Sequence, residues 1–397
     1  MNKITKKSKS LGTRVLLVLL CALLLLSGCG TAPASVVSSS APSAASAASA
    51  ASASAAGTHA VVDTIGQTVE VPNQIDRIVI ISTMPLASVY TMVVGSAEKL
   101  VGLTPDSKNA AVHSFLIRFA PEIANVSTDF AAGDEPNVEE VVKLDPDVVF
   151  YNTNAEEDAA ACQKLLQLGV PCVGFSTTID DNNTVETFNT WAELIGSVMQ
   201  EEVKAKEITD YGRKVQAMVK ERVDAIPEDQ RGSALILANY TPNAIVAAGS
   251  TFGRYWTSAI GAEDVASSID QAVSPVALED IYAWDPDVIF LNSFSAYTAD
   301  DILNSTAVEG QDWSGLSAVK NGRVYKYPLG VYYWFPPCFD SPLALEWMAT
   351  KMYPEAFADI DMDQEIKDYY EKFYGLTLTD EDLATLYNPP ADSAMVY

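Results

Sequence analysis

Histidine and cysteine are scarce in this chain, with two His (His59, His113) and five Cys in 397 residues. So few soft or borderline donors exclude an ordinary protein-built zinc or manganese centre. They also disfavour histidine-dependent catalysis. Positive charge is short as well: 25 Lys and Arg face 52 Asp and Glu, a formal net charge of -27, with no compact basic patch beyond the first residues. That balance speaks against nucleic acid as a partner. No phosphate loop, nucleophile motif or metal constellation accompanies the many carboxylates. A glycoside-type hydrolase built on paired carboxylates is therefore the weakest of the function classes considered, and no enzyme is expected.

What the chain has is apolar residues, 48% of the total, enough for a large core in two domains or two lobes. Lys3, Lys6, Lys7, Lys9 and Arg14 precede an apolar run at residues 15–26, too short to span a bilayer comfortably. The run ends in Leu26, Ser27, Gly28 and Cys29, which resembles the lipobox of bacterial lipoproteins. That resemblance implies a signal peptide over 1–28, a lipid on Cys29 and a place on the outer side of the cell membrane. Residues 29–57 are rich in Ala and Ser with Pro33 and Pro42, and read as a tether. Three cysteines remain in the body. Cys162 and Cys172 are placed so that a bridge is geometrically possible, and the alternative is three small buried apolar residues.

Residues 60–71, punctuated by Gly66, read as a hairpin. Continuous β-branched runs at 77–82, 147–151 and 170–175, then at 234–238, 287–291 and 323–327, are of the kind buried on both faces of a parallel sheet. They alternate with helical stretches, which predicts an α/β protein of two lobes. An internal near-repeat strengthens this: NVEEVVKLDPDVVFYN at 137–152 matches ALEDIYAWDPDVIFLN at 277–292. Each copy reads as a short helix, a break at Pro146 or Pro286, and a buried strand ending in Asn. Residues 184–225 are largely helix-compatible, and the later part, interrupted only by Gly212, predicts one long linking helix over 199–226. The N-terminal lobe is then 58–198, and the C-terminal lobe, with added helices, 227–397.

The 66-centred hairpin, GSAEKLVG at 95–102, the duplicated Glu-to-Pro-Asp unit, the linking helix and LALEWMATKMYP at 343–354 together resemble one family. It is that of the extracytoplasmic substrate-binding lipoproteins of ABC importers for iron-siderophores, haem and cobalamin. The resemblance covers about residues 60–355. It implies two α/β sandwich lobes joined by one long helix, with a ligand cleft between them and no resident cofactor. The partners it implies are a small metal chelate, foremost a ferric siderophore, and an ABC permease dimer with its ATPase; haem, cobalamin and molybdate or tungstate are the other ligands. It also implies that Glu139 and Glu279, equivalent in the two copies, dock against permease arginines from the lobe tips. A monomer is expected. A ligand sensor or surface-adhesion protein without transport is the rival of another class.

Ligands of such sheets bind beyond the carboxyl ends of the strands. In the first lobe that rule selects Ser82, Thr83, Met84, Pro85, Tyr90, Asn152 and Asn154. In the second it selects Asn239, Tyr240, Arg254 and Trp256 within 249–256, Asn292, Tyr297, and the aromatic run 330–338 with Tyr333 and Trp334. Aromatic rings suit a flat organic ligand, and Arg254 an anionic group, although rings in the core and a solvated Arg fit the same letters.

Overall fold

The computed structural model describes residues 57–83, 85–132 and 135–389. The expected signal peptide, Cys29, the tether before Gly57 and Met84 lie outside the described residues. Strands Thr58–Val62 and Thr68–Pro72 form the antiparallel hairpin, turning at Gly66, whose φ is +80°. Next comes a four-stranded parallel sheet in the order Leu100–Leu103, Ile78–Ile80, Val148–Asn152, Cys172–Phe175. Helices cover both faces, so Ile78, Val79, Ile80, Val148, Val149 and Phe150 are all fully buried or nearly so. This is why these strands read as unbroken apolar runs rather than alternating ones.

The second sheet runs Val273–Val276, Ala244–Ala248, Ser233–Thr241, Val288–Leu291, Val324–Lys326, with the short strand Glu263–Asp264 beside Ser233–Thr241. Its last three strands are parallel, while Ala244–Ala248 and Val273–Val276 are antiparallel additions that the sequence reading did not anticipate.

The repeated unit folds the same way twice. Helices Val138–Lys143 and Leu278–Trp284 each end before an Asp in the left-handed region, Asp145 at φ 48° and Asp285 at φ 41°. The Asp that follows the proline ties down the start of a neighbouring strand in each lobe. Asp147 accepts the backbone N–H groups of Asp76 and Arg77 at 2.8 and 2.9 Å. Asp287 accepts the N–H and hydroxyl of Ser233 at 2.8 and 3.0 Å.

The linking segment carries the expected long helix as the second of a pair. Helix Thr184–Met199 and helix Glu202–Asp224 form an antiparallel hairpin turning at Gln200, at φ 59°. The longer helix runs unbroken through Gly212, which sits there for packing: a Cβ would lie 2.6 Å from Asn189. At 23 residues it is about 35 Å long. Arg213 crosses the pair, donating to Glu193 at 2.6 Å and Glu186 at 2.8 Å. Three further helices, Ser341–Met352, Met362–Tyr374 and Asp380–Tyr387, follow among the described residues. Among the described residues no helix is long and apolar enough to cross a membrane.

Candidate functional site

The carboxyl ends of both sheets open on one cavity of about 420 Å³, a size usual for small-ligand pockets. Ser82 and Thr83 enter it after strand Ile78–Ile80, Asn152 at the end of Val148–Asn152, and Thr177 after Cys172–Phe175. From the other lobe come Ala238, then Asn292 and Phe294 after Val288–Leu291, and Tyr332, Phe335, Pro336 and Pro337 from the loop after Val324–Lys326. Trp191 and Phe252 reach it from helices, and Val273 from an edge strand. Among the described residues no Asp, Glu, Lys or Arg lines the cavity. It therefore offers neutral hydroxyls and amides, from Ser82, Thr83, Asn152 and Thr177 of the first lobe and Asn292 of the second, beside rings and prolines that come mostly from the second.

Two features sharpen the polar side. Thr83 is 6% exposed, stands in the left-handed region at φ 59°, and its hydroxyl has no hydrogen-bond partner. A β-branched residue is strained there and persists only where its surroundings hold it. Helices Leu86–Val94 and Phe252–Ala259 both start at the cavity, where Pro85 and Phe252 line it. Their dipoles favour negative charge there, while the N–H groups of Leu86, Ser88 and Arg254 are bonded to the carbonyls of Thr83, Pro85 and Gly249.

The structure sorts the expected residues by burial. Tyr90 is buried in the core, edge-on to Phe150 at 6.4 Å, and burial raises its pKa. Tyr240 is buried too, donating to Gln311 at 2.5 Å and packed on Tyr297 at 4.7 Å, so both belong to the second lobe's core. Trp256 donates its indole N–H to Phe335 O at 2.7 Å, and Trp334 its own to Asp340 at 3.0 Å, both from buried positions. Tyr333 lies behind Phe294 at 4.2 Å. None of these rings lines the cavity: Tyr90 and Trp256 are buried on helices Leu86–Val94 and Phe252–Ala259, Tyr240 within strand Ser233–Thr241, and Tyr333 and Trp334 in the loop after Val324–Lys326. Asn154 is exposed and braces a loop, accepting from Thr177 N at 2.7 Å and donating to Thr178 at 3.1 Å. Arg254 is exposed and donates to the carbonyls of Ser267 and Ile269 at 2.9 and 3.3 Å, off the cavity wall. Glu139 and Glu279 are exposed in the first turns of their helices, as the repeat places them.

Thr177, Trp191, Ala238, Val273 and Phe294 line the cavity without having been singled out. For Thr177 and Phe294 the signal was available, since both follow strand ends. Trp191 lies within a helix, and its orientation is set by the bond from its indole N–H to Ser176 O at 2.7 Å. Cys162, Cys172 and Cys338 are buried free thiols. Among the described residues no group of three or more His, Cys, Asp or Glu is placed to hold a metal ion.

The family model described as periplasmic binding protein matches residues 83–329. A periplasmic solute binding protein from Veillonella parvula is 30% identical, with a TM-score of 0.75 over 86% of this chain and 100% of that one. The molybdate-binding protein MolA of Haemophilus influenzae is 24% identical over 332 residues, 79% of this chain and 90% of the relative. An ABC transporter substrate-binding lipoprotein of Bacillus subtilis, YvrC, is 24% identical over 344 residues, 86% and 97% of the two chains.

Proposed function

We propose that this chain, which belongs to the periplasmic binding protein family, captures a metal chelate in the cavity between its lobes and delivers it to an ABC permease dimer. The carrying observation is the division of the wall. Neutral N–H and O–H donors, mostly of the first lobe with Asn292 of the second, suit the oxygen-rich rim of a chelate, and the rings and prolines, mostly of the second lobe, suit its organic body. A ferric siderophore or other small ferric chelate is the ligand this division fits best. A lipid on Cys29 would hold the monomeric body outside the membrane, on the tether of residues 29–57. Binding without chemistry is the role of such a site.

A second reading has its own support. Two helix N-termini and the unpartnered Thr83 hydroxyl suit a tetrahedral oxyanion such as molybdate or tungstate held by neutral donors. One titration separates the two. Trp191 lines the cavity, so its fluorescence in a soluble chain starting near Thr58 reports occupancy. Ferric citrate, a ferric hydroxamate, haem, cobalamin and sodium molybdate are added in turn. Quenching by an iron chelate, lost in Trp191→Phe, supports the first reading, and quenching by molybdate alone replaces it with the second. No response to any of the five removes both.

A further inference from the structure

Helices Met362–Tyr374 and Asp380–Tyr387 lie beyond the segment that the family model matches, and they touch the first lobe, the linking helix and the second lobe. On the first lobe, Arg118 pairs with Asp382 at 2.6 Å, and Phe119 meets Tyr374 edge-on at 5.3 Å. On the linking helix, Tyr211 packs against Tyr369 at 5.2 Å, and Glu207 pairs with Lys372 at 3.2 Å. On the second lobe, Leu329 N donates to Leu386 O at 2.9 Å.

The same helices reach the cavity wall through a buried carboxylate. Asp340 is fully buried, and its Oδ2 accepts from the N–H of Val331 at 3.0 Å, the indole of Trp334 at 3.0 Å and the hydroxyl of Tyr370 at 2.9 Å. Tyr370 also accepts from Val331 N at 3.0 Å and packs against Phe115 of the first lobe at 6.2 Å. A side chain at Gly330 would collide with both Asp340 and Tyr370. The start of the loop is bonded to the first lobe as well, Phe115 N to Gly330 O and Ser114 Oγ to Val331 O, each at 3.0 Å. That loop supplies Tyr332, Phe335, Pro336 and Pro337 to the cavity.

We infer that the two C-terminal helices are a clasp that fixes both the spacing of the lobes and the seat of loop 330–337 before any ligand arrives, with Tyr370 as a positioning residue for the cavity wall. A linking helix resists bending along its own length, but only a contact remote from it resists rotation about it. The Arg118–Asp382 pair and the Phe119–Tyr374 contact supply that second point of attachment. The inference uses the cavity of the proposed function only as the place where the loop ends. Its test adds no ligand, so the two fail separately.

Spin labels at Lys143→Cys and Asp300→Cys, one in each lobe, report lobe spacing in the ligand-free chain; the three cysteines of the body are buried. The parent should give one narrow distance distribution, kept in Arg118→Lys and at least doubled in width in Arg118→Glu. Amide exchange over residues 331–337 should quicken at least tenfold in Tyr370→Phe, which keeps the ring and removes the hydroxyl. Arg118 is half-exposed, so its variants test the clasp even where Tyr370→Phe does not fold. A parent distribution as broad as that of Arg118→Glu would overturn the clasp. Exchange within twofold of the parent in Tyr370→Phe would remove the positioning role.

Discussion

Asn152 and Asn292 stand 140 positions apart, each as the last residue of the repeated unit, and they face the same cavity from opposite lobes. The unit carries its own anchoring. A helix, a left-handed Asp, a proline and a strand-tying Asp deliver the final Asn to the same relative place in each sheet. Asn152 then braces its own turn, accepting from Asn154 N at 2.9 Å, while Asn292 is held by a backbone bond to Leu237 O at 2.9 Å. One local design thus supplies a polar group to each side of a binding site.

The anchoring predicts matched stability losses. Asp147→Ala and Asp287→Ala each strand two donors at the start of a core strand, and a hydrogen bond to a charged group contributes about 1.5–3 kcal/mol. Each variant should lower the urea midpoint by an amount worth at least about 2 kcal/mol, the exposed edge of each bond holding the loss below the full sum. A loss confined to one of the two would show that the units are alike in outline only.

Thr83 predicts the opposite pairing of stability and function. An L-residue in the left-handed region costs about 1–2 kcal/mol, and glycine relieves most of it while adding unfolded-state entropy. Thr83→Gly should therefore keep the parent's urea midpoint or exceed it, while weakening whichever ligand quenches Trp191. A clear loss of stability would mean that the side chain's packing, not the site, explains its conformation.

Much of the fold was legible because parallel strands buried on both faces leave unbroken apolar runs, and because Pro146 and Pro286 mark the same break twice. The polar cavity residues Ser82, Thr83, Asn152 and Asn292 were legible by the strand-end rule. The aromatic ones were not. Trp256 shares a helix with Phe252, Tyr333 and Trp334 share a loop with Tyr332 and Phe335, Tyr240 lies within a strand, and a ring in the core has the same letters as a ring on the wall. The long linking helix was legible as well, in a stretch without Pro: it starts at Glu202, just past the turn at Gln200, where the expected span began at 199.

Glu346 predicts a pH dependence. It is 4% exposed on helix Ser341–Met352, one carboxylate oxygen has no partner, and its pKa is raised from 4.5 to about 7. Burial is the main cause, Glu365 and Asp359 add to it, and Arg222 and Lys214 oppose it. A raised carboxyl pKa means that the folded chain binds more protons than the unfolded one between about pH 4.5 and 7. Stability from this group is present below that window and is lost as pH rises through it. Glu346→Gln should then match the parent near pH 4 and be the more stable of the two at pH 8. Equal urea midpoints at pH 8 would show that the carboxylate is accommodated without cost.

The last prediction concerns the partner. Glu139 and Glu279 are exposed on equivalent first turns, one per lobe, as a twofold permease with paired arginines would require. A helix N-terminus explains either glutamate alone, but not their matched positions. Exposed ion pairs contribute about 0.2–1 kcal/mol each, so a single change to Ala would be close to silent in uptake. Reversing both charges replaces two attractions with two repulsions, and like charges brought together at an interface cost about several kcal/mol at modest salt. Neither residue lines the cavity, so ligand binding in solution should stay as in the parent. Cells carrying Glu139→Lys with Glu279→Lys should therefore lose uptake while the purified variant still quenches Trp191 with the same ligand. Normal uptake would free these glutamates of any docking role, and lost binding would assign them to the fold.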